Sequence, residues 1–422
     1  MQSLNFDEAS LIDFIDIDGC DIMQRAKVFN EYTLNVKEKK HNSYRRVSTT
    51  GSAPVIRIFD SHTNKEKKMI YLASNDYLNL TNHPRTISAG IKAIQKYGAG
   101  SGSVPLLGGT FDIHVELEKK IAKFKGCKNA ILYSSGYGAN CGSLLALLKQ
   151  KDIAILDRLS HASLIDGCQN TNMKFFKHND LKSLEQILDR SQKEYRTKLV
   201  VIDGVYSMDG DIAPLDKIVE LAKQYEAYVL VDEAHATGVI GKTGKGTPEH
   251  LGLEGKVDIV AGTFSKALGC VGGFVAANDE LVELLHYYSR SYMFSTAPSP
   301  QVIGSLLEGL DVIETEPELR IKLWRNINYF KENLLRLGFN IGNSQTAIFP
   351  IIIGDDYKTK EACRMLHERG IYVNSVLYPA VQRKLSRLRI SLMATHTKEH
   401  LDKVLYSLEE VGVKLNIISS LN

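Results

Sequence analysis

From about residue 85 onward, stretches with helical periodicity alternate with short, nearly continuous apolar runs. The runs are 130–133 (AILY), 153–156 (IAIL), 198–202 (KLVVI), 227–231 (AYVLV), 257–261 (VDIVA) and 272–276 (GGFVA). They are Val/Ile-rich and do not alternate apolar with polar, which is how strands covered on both faces read. The helical stretches between them supply the crossovers that parallel strands need. The pattern therefore predicts an α/β fold built on a mostly parallel sheet.

The two ends of the chain read differently. Residues 1–50 are polar and charge-rich, with a helix predicted over 20–40. A flexible stretch at 48–54 (STTGSAP) leads to strand-like runs at 55–59 (VIRIF) and 69–73 (MIYLA), then a turn at 74–80 (SNDYLNL). A long helical region over 300–337 should break near Glu316-Pro317, because proline lacks the amide a helix interior uses. Beyond Gly338 the spacing predicts strands at 347–353, 371–374 and 387–392 and helices at 358–369 and 397–412. That is a smaller C-terminal α/β domain.

Composition narrows the class without naming a function. With 422 residues, 44% hydrophobic and 24% charged, the chain can bury a large core and divide into two or more domains. A net charge of +3, with no basic block beyond short clusters such as Lys65–Lys68, gives nucleic acid no footing. That cluster reads as solvated loop. Six scattered cysteines (20, 127, 141, 168, 270 and 363) include no C-x-x-C pair, so neither a metal site nor a disulfide framework is expected. Reduced thiols in a cytoplasmic protein fit that usage. The acidic N-terminus lacks the basic region of a signal peptide, and no apolar run approaches the ~18 residues of a membrane helix. Ala9, Leu11, Ile12, Phe14 and Ile15 fall near helical spacing and leave peripheral membrane contact open.

Ligands on sheets of this kind sit at the carboxyl ends of the strands. Asp203, Asp232 and Lys266 fall there. Lys266 lies in GTFSKALG (262–269), flanked by small and hydroxylated residues including Thr263 and Ser265; Asp232 opens DEAH (232–235). An amine for an aldehyde, a carboxylate for a pyridine nitrogen and hydroxyls for a phosphate are the parts that pyridoxal 5'-phosphate (PLP) chemistry requires. His235, three residues past Asp232, is placed to reach the ring oxygen. His161, shortly after the 153–156 run, is a candidate for stacking on a flat ring. The amides of Gly136 and Tyr137, at a predicted helix start, are candidates for the phosphate.

Two other motifs are decoys. The cluster YGAGSGS (97–103) follows a helical pattern where a dinucleotide fingerprint would follow a strand. Gly241-Lys-Thr243 with DEAH mimics a helicase, but position 236 is Ala and the order of the two motifs is reversed.

Nine runs in order, SNDYL (74–78), GGTFDIHVELE (108–118), SSGYGAN (134–140), DRLSHASLIDG (157–167), DGVYSMDGDIAPL (203–215), VDEAHATGVIG (231–241), GTFSKALG (262–269), MFSTAPSP (293–300) and LRISLMATHT (388–397), resemble the α-oxoamine synthases. These are fold-type I PLP enzymes, and the resemblance covers about residues 70–410. It implies a seven-stranded, mostly parallel sheet in a large PLP-binding domain over 71–315. A small N-terminal segment over 1–70 and a C-terminal α/β domain over 316–422 would flank it. Lys266 would carry the cofactor, Asp232 would face the pyridine nitrogen and His161 would stack on the ring. His235 and Ser207 would lie near its oxygen and edge, with Gly136, Tyr137, Thr263 and Ser265 around it. Ser295 and Thr296 would reach the phosphate from a second subunit, which implies a homodimer with shared active sites. Arg389 would hold the amino-acid carboxylate, as its forked geometry suits, assisted by Asn75.

The reaction implied is a decarboxylative condensation of a small amino acid with an acyl thioester, either acyl-CoA or an acyl-carrier protein. Tyr378-Pro-Ala380-Val381 leans toward the serine palmitoyltransferase pattern, with serine as substrate and sphingolipid synthesis as context. Val104-Pro105, Asn374-Ser375 and Gln382 depart from it. Enzymes resembling 8-amino-7-oxononanoate synthase or 2-amino-3-ketobutyrate ligase, using alanine or glycine, are the alternatives. A non-catalytic partner subunit and a PLP aminotransferase are the readings from other classes.

Overall fold

The computed structural model describes residues 5–6, 9–60 and 65–419. It divides into two compact units, one running from Asn75 to Trp324 and the other combining the described residues up to Ser74 with those from Arg325 onward.

The larger unit is built on a seven-stranded sheet. Its strands are β1 (Asn129–Tyr133), β2 (Ile153–Asp157), β3 (Asn172–Phe176), β4 (Lys198–Asp203), β5 (Tyr228–Asp232), β6 (Ile259–Thr263) and β7 (Gly273–Ala277), in the spatial order β1-β7-β6-β5-β4-β2-β3. β2 through β6 run parallel, while β7 runs antiparallel to both of its neighbours. Every residue of β2, β4, β6 and β7 is buried, which is why these segments read as unbroken apolar runs. Ile131, Leu156, Val201, Leu230 and Val275 join one core cluster, each such side chain stabilising the fold by about 1.5–3 kcal/mol.

The pattern misses one strand. β3 (NMKFF) lies at the sheet edge and buries only Phe176 fully, and Asn172 and Lys174 interrupt its apolar run.

The smaller unit holds two three-stranded sheets. In one, Val55–Asp60 pairs antiparallel with Lys65–Tyr71, which pairs parallel with Ile371–Tyr372. This pairing ties the N-terminal segment to the C-terminal chain. The Lys65–Lys68 cluster, expected as loop, is therefore the start of a strand. Lys65 and Lys68 stay exposed and Lys67 partly so, while Met69 and Ile70 carry the burial. In the other sheet, Arg387–Ser391 is central between Ile348–Ile352 and Asn374–Val376, all antiparallel. The run expected as one strand at 371–374 thus serves two sheets, divided at Val373. The helical region breaks where proline predicts, into Pro300–Thr315 and Pro317–Arg336.

Candidate active site

Asp232 is the last residue of β5 and is only 4% exposed. Its pairing partners are Asp203 on β4 and Ala261 on β6, so three strand ends lie side by side. The Asp232 carboxylate accepts from the Ala234 amide at 2.9 Å and from Asn140 Nδ2 at 2.6 Å. Burial, reinforced by the charge of Asp232, holds the Asp203 carboxyl well above the usual carboxylate range. Asp203 accepts the His161 amide at 3.0 Å, fixing the backbone that carries that imidazole.

Lys266 follows β6 by three residues and is partly buried. Its carbonyl accepts the Gly269 amide at 2.9 Å, closing the turn. Gly269 has φ +66, and a Cβ there would stand 2.7 Å from the Thr81 amide, so the turn demands glycine. Thr263 Oγ1 donates to the Gly272 carbonyl at 3.0 Å and lies 2.9 Å from Ser265 Oγ.

Gly136 and Tyr137 open the helix Gly136–Leu147, capped by Ser135, whose hydroxyl accepts the Gly138 amide at 2.9 Å. A Cβ on Gly136 would meet Thr263 Cβ at 2.6 Å. The helix N-terminus therefore sits against the end of β6 only because no side chain intervenes. Its first amides have no partner within the helix and carry the positive end of its dipole. The Tyr137 hydroxyl donates to Asp166, which pushes its pKa up to about 12.

His235, 5% exposed, lies with Nδ1 2.7 Å from the Tyr77 hydroxyl. Ser207 sits in the loop after β4, where Val205 bridges Ile212. That loop is clamped by His178, whose Nδ1 lies 3.0 Å from Asp157 Oδ1 and whose Nε2 lies 2.8 Å from Asp211 Oδ2. Burial opposes the charge on His178, but the two carboxylates outweigh it and raise its pKa to about 10. Asp157 also accepts the Leu159 amide at 2.8 Å, so the same clamp steadies the turn leading to His161.

The larger unit thus gathers Gly136, Tyr137, His161, Ser207, Asp232, His235, Thr263, Ser265 and Lys266 around the carboxyl ends of β2 and β4–β6 and the helix after β1. Asn75 precedes Tyr77 and accepts its hydroxyl at 3.4 Å. Ser295 and Thr296 follow the short helix Arg290–Met293 on a separate segment of the same unit. Arg389 and Ala380 belong to the smaller unit, where Arg389 donates to Ser391 Oγ at 3.0 Å. Asn140, Ser163 and Tyr77, which contact the candidate residues directly, were not among the residues singled out from the sequence.

These parts fit PLP. A buried carboxylate oriented by two donors suits a pyridinium; a helix N-terminus with Thr263 and Ser265 beside it suits a phosphate; an amine lies just past the neighbouring strand end. The chain belongs to the aminotransferase class I and II family, whose model matches residues 67–408. Within the fold-type I PLP enzymes of that family it is an α-oxoamine synthase, a PLP-dependent acyltransferase.

It is 43% identical to an 8-amino-7-oxononanoate synthase of Thermoanaerobacter pseudethanolicus over 383 residues, covering 90% of this chain and 96% of that protein. A solved serine palmitoyltransferase from S. paucimobilis, with a bound PLP–myriocin aldimine, superposes with a TM-score of 0.89 at 34% identity, covering 94% of this chain and all of that one. The 8-amino-7-oxononanoate synthase of Francisella tularensis gives a TM-score of 0.72 at 28% identity, over 83% of this chain and 99% of that one. The expectation of a sphingolipid enzyme finds no support in sequence identity, which is higher with the 8-amino-7-oxononanoate synthase than with the serine palmitoyltransferase. The Tyr378-Pro-Ala380-Val381 run was too short a signal to decide between subgroups.

Proposed function

We propose that this enzyme joins the Cα of a small amino acid, alanine in the leading reading, to the carbonyl carbon of an acyl thioester. The amino-acid carboxylate leaves as carbon dioxide and the thiol of the carrier is released. The observation that carries this reading is Asp232, buried at the strand end beside the one that leads to Lys266, in a chain 43% identical to an 8-amino-7-oxononanoate synthase. PLP, when bound, supplies the electron sink for the bond that breaks at Cα.

The protein's own groups do the rest. Lys266 would tether the cofactor, and its amine would move the Cα proton; a positioned base of this kind contributes roughly 10²–10⁴-fold. Asp232 would hold the pyridine proton, His161 would cover the ring and orient the substrate carboxylate, and His235 and Ser207 would hold the ring oxygen and edge. Gly136, Tyr137, Thr263 and Ser265 hold the phosphate end. Asn75 would assist in binding the carboxylate, the role that the resemblance also gives Arg389.

We also assign Ser295 and Thr296 to the phosphate of a second subunit. An exposed apolar stripe supports a homodimer: Ile87, Ile91 and Ile94 recur along the helix Pro84–Tyr97, and Leu107 is 84% exposed. Free thiols at all six cysteines agree with a reducing cytoplasm. Among the described residues no helix is long and apolar enough to cross a membrane. A peripheral contact would use the exposed Leu11, Ile15, Ile22 and Met23.

Serine with a long acyl donor is the second reading, favoured by the superposition at TM-score 0.89. Alanine and serine differ by one hydroxyl, which a site discriminates strongly only if it pairs that group. The test is carbon dioxide release from glycine, alanine, serine and threonine with acyl-CoA donors of graded length. Alanine-selective, thioester-dependent release supports the leading reading, and serine selectivity replaces it with the second. Release from none of them, or amino transfer without carbon dioxide, overturns both.

A further inference from the structure

Four side chains form one continuous hydrogen-bonded line between Asp232 and His161. Asn140 Nδ2 donates to Asp232 Oδ2 at 2.6 Å and to Ser163 Oγ at 2.9 Å. Ser163 Oγ lies 2.8 Å from His161 Nδ1, and the Ser163 backbone amide donates to the same nitrogen at 3.3 Å. Asn140 is 3% exposed and Ser163 fully buried, so water does not compete for the two Asn140 bonds, while the Ser163–His161 contacts are part-buried.

Donor chemistry fixes the direction of the line. An ionised carboxylate only accepts, so Asn140 must turn its NH₂ toward Asp232. The second hydrogen of that NH₂ is spent on Ser163 Oγ, which keeps its own hydrogen to give. The Ser163 backbone amide has only a hydrogen to offer His161 Nδ1, so that nitrogen must accept, and the Ser163 hydroxyl is free to give it a second. A neutral imidazole accepting at Nδ1 carries its proton on Nε2. Among the described residues the Asn140 carbonyl oxygen finds no hydrogen-bond partner, so the amide is held in this orientation through its nitrogen. An apolar side chain would fill the same helix position without burying an unpaired acceptor.

We infer that Asn140 and Ser163 are positioning residues that set His161 in the Nε2–H tautomer, presenting an N–H donor to the carboxylate of the bound amino acid. The tautomer assignment stands on hydrogen bonds within this chain. The role toward the amino acid rests on the proposed function.

The test is two-bond ¹H–¹⁵N correlation of the imidazoles in the apoprotein and in the cofactor-loaded enzyme, with His161 assigned by its loss in His161→Gln. The expected result at neutral pH is a protonated Nε2 and an unprotonated Nδ1 in both forms. A proton on Nδ1 in the wild-type protein overturns the inference and needs no variant to fold. Ser163→Ala should mix the tautomers and lower kcat/KM for the amino acid about tenfold, mainly through KM, the equivalent of one hydrogen bond. Unchanged tautomer shifts in Ser163→Ala overturn the positioning role, and a shifted tautomer with unchanged KM overturns the role toward substrate. Failure of the condensation itself shows separately, as absence of carbon dioxide release by the wild type.

Discussion

At the scale of single residues, the site depends as much on absent atoms as on present ones. Gly136 lets the helix N-terminus touch the end of β6, and Gly273 presses against Gly136 from β7, where an added Cβ would lie 2.6 Å from Gly136 Cα. Gly136→Ala should therefore push the helix away from Thr263 and weaken PLP binding by about tenfold or more, since overpacking at such contacts costs about 1–3 kcal/mol. Fluorescence titration of the apoprotein with PLP measures it. His178 makes a prediction about pH. Its folded-state pKa is raised to about 10 from an ordinary 6.5, so its stabilising contribution is full below the ordinary value. That contribution disappears as pH rises through the folded value. Urea unfolding of the wild type between those limits should show stability falling with pH, and His178→Gln should flatten that slope.

At the scale of elements, the helix Asp112–Lys125 ends in a lysine whose burial its neighbours in the chain do not announce. Lys125 Nζ donates to Thr237 Oγ1 at 2.7 Å and to the Lys245 carbonyl at 2.6 Å, and lies 3.5 Å from Glu233 Oε2. Burial pushes the lysine pKa down and the glutamate up, while their attraction opposes both shifts. Glu233 in turn accepts the Thr247 amide at 2.9 Å, so the pair braces the loop that follows Asp232. Lys125→Met, which strands the carboxylate, should lower unfolding free energy by about 3–5 kcal/mol, and adding Glu233→Gln should recover part of it.

What could be read in the chain follows the same physics. β2, β4, β5, β6 and β7 announced themselves because burial on both faces demands unbroken apolar runs, whereas the edge strand β3 did not. Lys266 and Asp232 were visible because strand-end position is local information. Asn140 was not, since its meaning lies in contacts 92 residues away at Asp232 and 23 away at Ser163. A single amide inside the small and apolar helix GYGANCGSLLAL was the only hint.

At the scale of the whole molecule, the proposed homodimer with shared sites makes a prediction no single chain can meet. Lys266→Ala subunits and subunits carrying Ser295→Ala with Thr296→Ala should each be poorly active alone. Mixed under conditions that exchange subunits, they should regain activity, because hybrid dimers contain one site with every group intact. No regain, with exchange shown by mass spectrometry, would place both segments in one subunit's site.

The account turns on one amine and one buried acid at the ends of neighbouring strands. Borohydride treatment of the PLP-loaded enzyme, followed by digestion and peptide mass spectrometry, reads that amine directly. The reduced pyridoxyl group should appear on the peptide containing Lys266 and on no other lysine in stoichiometric amount, and Lys266→Ala should abolish it. Stoichiometric label on a different lysine, or an enzyme fully active with none on Lys266, would contradict it.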